Sequence, residues 1–349
     1  TSWLFSAREL NTCISLTLPS LLLPHSWLPK QSRIWSPKTT FNARASYQFR
    51  ANEFNRLNIT SGVEYSWRIG KTYHRLTPYN LSLVQIDLNS TNTPFLFLGF
   101  QDLVFSGSNY SYSNTWQHGK NRYFLGLDAE TGGHLLSLAG LKEIAGIPIA
   151  PYVKGSIDFR YFHQIVRKRE WAIRGFMGLS ESWGMQGNFV PFEKSFFMGG
   201  SNDLRGWTAY HFGPGSTSEN ILQAEGFFAA APIKLLFNAE YRYTIQEAIK
   251  GAFFLDAGNI WLYNKTYSGS LTPNQIEAIN DGIFLPSAFI RQLGVNTGFG
   301  LRYDLEFLIL RADLGLKVHH PGAINRSTWV ISSPEIRDLN LNLGIGYPF

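Results

Sequence analysis

The stretch VKGSIDFRY, residues 153–161, decides the fold, because its side chains alternate with period two. Val153, Ile157, Phe159 and Tyr161 fall on one face of a strand, and Lys154, Ser156, Asp158 and Arg160 on the other. A dry core between two packed sheets could bury those four polar groups only by pairing each of them. A wall with lipid on one side and a wet interior on the other needs no such pairing.

The same alternation recurs in both directions along the chain. In 57–68, Leu57, Ile59, Val63, Tyr65 and Trp67 oppose Asn58, Thr60, Gly62, Glu64, Ser66 and Arg68. In 235–245, Phe237, Ala239, Tyr241 and Tyr243 oppose Asn238, Glu240, Arg242 and Thr244. The last segment, 339–349, sets Leu339, Leu341, Leu343, Ile345, Tyr347 and Phe349 against Asn340, Asn342, Gly344 and Gly346. Segments of about ten residues suit tilted strands crossing a bilayer. Counting them predicts thirteen strands, near 8–18, 38–50, 56–69, 78–88, 102–115, 121–131, 150–161, 169–181, 234–245, 249–260, 291–303, 306–317 and 338–348. Single-chain bacterial barrels close with an even number of antiparallel strands, so at least one strand is missing or miscounted, and the shortfall is most easily placed before Thr1. The polar or irregular stretches 182–233 and 262–290 read as loops on one side of the wall.

Composition points the same way. Of 349 residues, 44% are hydrophobic and 15% aromatic but only 16% charged, against about a quarter charged in an average soluble domain. The longest nearly apolar runs are broken by Pro and Ser well short of the roughly 18 residues a spanning helix needs. Only helices and closed barrels satisfy every backbone group in lipid, so a membrane protein of this composition should be a barrel, while composition alone leaves open a large soluble all-β sandwich, which is also rich in Gly and aromatics. The net charge of +6 is spread through the alternating segments without any run of five cations, which excludes a nucleic-acid-binding reading. Cys13 is the single cysteine, so no intrachain disulfide or cysteine-rich metal site is expected. The first residues carry no signal peptide, although an outer-membrane protein needs one, so the chain is expected to be part of a longer protein.

Residues 196–207 read FFMGGSNDLRGW, which resembles the signature of the sixth external loop in the BamA/TamA superfamily of barrel insertases. There a Gly-Gly turn, here Gly199 and Gly200, leads into an Arg-Gly-aromatic tip, here Arg205, Gly206 and Trp207. Downstream, LFNAEYRY (236–243) and GAFFLDAGNIW (251–261) resemble the two wall strands that hold the loop arginine in that superfamily. The alternation places Glu240 and Asp256 on the interior face, and the resemblance implies that Arg205 pairs with both. The likeness continues through GFGLRYDLEFLILRADLGL (298–316) and NLNLGIGYPF (340–349), and AYHFGPGS (209–216) brings it nearest the TamL branch of Bacteroidetes-type bacteria. Asn342, Gly344, Gly346, Tyr347 and Phe349 also fit the terminal pattern by which outer-membrane barrels are recognised for assembly, and would form one side of a seam.

The resemblance implies an all-β, transmembrane antiparallel β-barrel of the sixteen-strand type, one domain over 1–349, whose first strands and periplasmic POTRA modules have no counterpart here. It implies a bacterial outer-membrane location and a role in assembling, inserting or translocating other proteins through a lateral seam. Expected partners are outer-membrane lipids, client outer-membrane proteins and a periplasmic protein of the TamB type. The alternative is a channel or polypeptide-secretion pore built on the same wall. No nucleophile elbow, phosphate loop or His-Glu-x-x-His occurs, so no catalytic residue, cofactor or metal is expected. His319 and His320 are read as loop residues without a third ligand.

Overall fold

The computed structural model describes residues 7–22, 35–50, 54–88, 102–184, 188–224, 229–267 and 272–349. Thirteen strands form one sheet: β1 (Ala7–Leu18), β2 (Trp35–Arg50), β3 (Phe54–Ile69), β4 (Thr72–Leu88), β5 (Leu103–His118), β6 (Asn121–Gly132), β7 (Tyr152–Val166), β8 (Arg169–Ser182), β9 (Ile233–Gln246), β10 (Ile249–Trp261), β11 (Gly294–Asp304), β12 (Ile309–His319) and β13 (Leu339–Ile345). Each pairs antiparallel with its neighbours in chain order, so the wall is one meander. The only other ladders among the described residues are two-residue pairs, 143–144 with 147–148 and 196–197 with 230–231. A sandwich of two large sheets is thereby excluded.

Period two governs which side of the wall each residue takes. Phe237, Phe253, Leu255, Leu301, Leu314, Leu341 and Leu343 stand exposed on the outer face, while their neighbours Asn238, Glu240, Asp256, Arg302 and Asp313 are buried on the inner face. An apolar outer face over buried charge is the reverse of a water-soluble sheet, and it suits a wall bathed in hydrocarbon.

The sheet curls around the long segment 183–232. From that segment Glu193 reaches Arg56 of β3 at 3.3 Å, Lys194 reaches Glu130 of β6 at 2.5 Å, and Asn202 accepts a bond from Arg311 of β12 at 2.7 Å. One loop can touch strands so far apart in sheet order only from the concave side. Its apolar residues Phe196, Met198, Leu204, Trp207 and Phe212 pack with Leu236 of β9 and Ile260 of β10, so the largest dry core lies between loop and wall. The two rims differ. From β3 onward, connections 70–71, 119–120, 167–168, 247–248 and 305–308 are short turns, whereas 133–151, 183–232, 262–293 and 320–338 are long and start from the opposite rim. That asymmetry is the usual one between periplasmic turns and external loops.

Several expectations need correction. β4 begins at Thr72, six residues before its expected start, because Gly70 and Lys71 close a tight turn and Pro78 sits in a register shift between Thr77 and Asn80, where proline is tolerated. β11 and β12 both start and end later than expected. The stretch 262–290 is not all loop, since Pro273–Gly282 form a helix. Thr272 caps it, accepting from the Gln275 amide, with proline in the first turn. His319 closes β12 instead of lying in a loop, and both His319 and His320 are buried.

The last strand stops at Ile345, and here the expected outward placement of Tyr347 and Phe349 fails. Gly346 takes φ +77°, a backbone conformation that breaks the alternation and turns the tail inward. Phe349 is buried against Phe162 of β7 and Ala172 of β8, and Tyr347 lies over the Arg242 guanidinium, 4.7 Å from ring centre to Cζ.

Candidate functional site

Arg205 is fully buried at the tip of the inward loop. Its Nε and one terminal nitrogen donate to the two oxygens of Asp256 at 2.8 and 2.7 Å, a bidentate pair. Its other terminal nitrogen donates to Glu240, and that same nitrogen lies 3.6 Å from Asp313. The guanidinium stacks on Phe254, 3.6 Å from the ring centre, which excludes water from that side. β9 and β10 supply these partners because Glu240 and Asp256 both occupy interior positions of adjacent strands.

Around this pair lies a wider charged layer. Glu240 also accepts from Arg302 of β11 at 3.1 Å and from Arg242 at 2.6 Å. Asp256 also accepts from Asn238 and Asn296, both at 2.9 Å, and from the Arg205 backbone N–H at 3.2 Å. Arg302 and Asp313 approach to 3.0 Å in a geometry too bent for a hydrogen bond. The guanidiniums of Arg205, Arg242, Arg302 and Arg311 face the carboxylates of Glu170, Glu240, Asp256 and Asp313, four charges of each sign. Such a layer costs much to desolvate but more to break, because removing one member strands the rest.

The loop tip sits on the wall without side chains between them. A Cβ at Gly206 would come within 2.7 Å of the Asn296 side chain, and one at Gly315 of β12 within 2.6 Å of the Arg205 carbonyl oxygen. That carbonyl accepts two bonds from β13, from Asn340 at 3.0 Å and Asn342 at 2.8 Å. Gly199 and Gly200 both have positive φ, and the Gly200 N–H bonds the Trp207 carbonyl at 2.8 Å, closing the turn that carries the arginine. Trp207 is buried against Phe212, with ring centres 4.5 Å apart. Gly344 leaves room for the Arg311 guanidinium on the adjacent strand.

The structure thus brings together Gly199, Gly200, Arg205, Gly206, Trp207, Glu240 and Asp256, and adds Asn342 to them from the terminal strand. Tyr347 and Phe349 lie elsewhere, beside Arg242 and away from Arg205. Arg302, Arg311, Asp313, Asn238, Asn296 and Asn340 were missed. The period-two count that selected Glu240 selects them too, since each shares its strand's interior face. A second cluster joins the short helix Glu219–Ala224 to the rim: Glu219 lies 2.8 Å from His320 and 3.1 Å from Lys317. The His320 imidazole in contact with it, with Lys317 nearby, holds the Glu219 carboxyl at about 2, while burial keeps the His320 imidazole below its ordinary value. No group of three or more His, Cys, Asp and Glu that could hold a metal occurs among the described residues.

An antiparallel meander with an apolar outer face, a charged inner face and an arginine loop locked inside it defines a membrane-wall architecture of the β-barrel kind. The chain belongs to the Omp85 superfamily, whose domain model matches residues 6–349. Its fold is similar to that of BamA from Haemophilus ducreyi lacking POTRA domains 1-3, with TM-score 0.58 and 12% identity over 97% of this chain and 61% of that one. It is likewise similar to CdiB from Acinetobacter baumannii (TM-score 0.51, 13% identity, 97% of this chain and 50% of that one) and CdiB from Escherichia coli (0.52, 11%, 97% and 52%). The chain therefore spans between half and about three-fifths of the length of these relatives.

Proposed function

We propose that this chain is the wall of a bacterial outer-membrane factor that inserts other proteins into the membrane, or translocates them, without any chemical step. The observation that carries the reading is the Arg205 lock, which seats an inward loop on the interior face of a wall of the Omp85 superfamily. A loop so placed obstructs free diffusion and leaves the edges of the sheet as the working surface. In this reading the full wall has sixteen strands, and its seam includes β13. An unpaired strand edge there templates the first strand of an incoming client. β13 is suited to such a role: its outer face is apolar, and its ladder to β12 spans only Leu339–Ile345. POTRA modules, a place in the TamL branch and a periplasmic partner of the TamB type complete the proposal.

The likeness to CdiB supports a second reading, a polypeptide-secretion pore. The two readings part in one experiment. The full-length protein is reconstituted in vesicles with an unfolded outer-membrane barrel as client, and the client's protease protection and heat-modifiable migration are followed. An insertase places the client in the bilayer, a pore passes it to the other side, and neither outcome with active protein would sink both readings.

A further inference from the structure

We infer that Asn340 and Asn342 are positioning residues that tie the edge strand β13 to the loop tip through the backbone carbonyl of Arg205. The inference rests on the proposed working role of β13. The Arg205 peptide is used on both sides. Its N–H donates to Asp256 of β10 at 3.2 Å, and its carbonyl oxygen accepts Asn340 Nδ2 at 3.0 Å and Asn342 Nδ2 at 2.8 Å. A carbonyl oxygen has two lone pairs, and two donors fill them. Asn340 and Asn342 are two residues apart on a strand, so both point to the same face and converge on one acceptor.

Their register partners explain how the carbonyl gets there. Asn340 pairs with Gly315 and Asn342 with Asp313. The bare Cα of Gly315 forms the floor on which the carbonyl lies, since a Cβ there would stand 2.6 Å from its oxygen. Asp313 meanwhile faces the Arg205 guanidinium at 3.6 Å. Neighbouring residues of β12 thus seat the backbone and side chain of the same arginine, and the side chains of β13 close over the result. Arg311 adds a further link, bonding Asn202 of the loop at 2.7 Å beneath Gly344. β13 has a backbone ladder to β12 alone among the described strands. Its hold on the molecule therefore depends on the loop as well as on that ladder and on the tail anchored at Phe162 and Arg242, and a loop that lets go of Arg205 loosens the edge.

The test is hydrogen exchange on the full chain in lipid nanodiscs, comparing Asn340→Ala/Asn342→Ala with Leu341→Ala. Leu341 points outward and touches no part of the tie. The double variant should speed exchange roughly 25-fold at β13 and also at 204–207, since two lost bonds of about a factor of five each multiply. Leu341→Ala should affect β13 alone. Should the double variant fail to assemble, Asn342→Ala alone removes one donor without adding charge and should give about a fivefold change at both places. Unchanged exchange at 204–207 would overturn the tie, whatever happens at β13. Client insertion measured in parallel judges the seam separately. Faster exchange at both places with normal insertion would uphold the tie and sink the seam.

Discussion

At the scale of single residues, the two carboxylates that hold Arg205 are unequal. Asp256 accepts five bonds, three from Arg205 and one each from Asn238 and Asn296, spread over both of its oxygens. Glu240 accepts three, two of them on one oxygen. An amide can keep one accepting oxygen but turns an NH2 toward the donors of the other. Asp256→Asn is therefore expected to destabilise the folded protein in bilayers more than Glu240→Gln, read as the shift in urea midpoint. Arg205→Ala leaves buried Asp256 without its cation and takes one cation each from Glu240 and Asp313, and its expected cost is about 3 to 5 kcal/mol. Arg205→Lys should recover little of this, because an ammonium cannot make the fork to Asp256 or stack on Phe254. Equal urea midpoints for the asparagine and glutamine variants would contradict this ranking.

At the scale of elements, the outer face of β10 and the rim cluster make separate predictions. Phe253 is 57% exposed on the outer face, and Phe253→Arg should cost about 2 to 4 kcal/mol if it lies near the bilayer midplane, measured by folding titration into vesicles. At the rim, the Gly322 N–H bonds His320 Nδ1 at 3.1 Å, so Nδ1 carries no proton and the neutral ring presents Nε2–H to Glu219. Above its ordinary 6.5 the imidazole is neutral whether folded or not. Below it the unfolded chain binds the proton first, so stability falls as pH drops through about 6.5. Glu219, held at about 2, loses its share only at lower pH, as acid passes its ordinary 4.5 and then its folded value. Proteolysis of 320–338 should thus quicken between pH 7 and 5, and His320→Gln should remove most of that dependence. A cleavage rate flat over this range in the native protein would refute the assignment. Elements are also where the sequence was most legible. Alternation located every wall strand and put Glu240 and Asp256 inside, because period two survives any change of side-chain identity. What it missed came from breaks in the period: Pro78 sits within a bulge and Gly346 turns a strand inward, so a count that runs on through either residue goes astray. The helix Pro273–Gly282 was missed although Thr272, Pro273 and Gln275 spell out its start, since a period-two count leaves 3.6-residue signals unread.

At the scale of the whole molecule, the loop is both filling and brace. With the tip released, as in Arg205→Ala, the protein should pass more current across a planar bilayer than the native chain, without loss of the sheet signal in circular dichroism. No gain in conductance would mean that the loop does not obstruct the interior. The tie between Arg205 and Asn340 joins residues 135 positions apart, and the arginine comes first in the chain. Closing so long a loop is entropically costly, and it waits on every strand that lies between. A growing wall that has received β9 and β10 can hold the guanidinium, but the carbonyl beside it stays unclaimed until the last strand arrives. Full engagement of that one peptide group is thus a record of order: it marks the moment at which β9 to β13 are all in place.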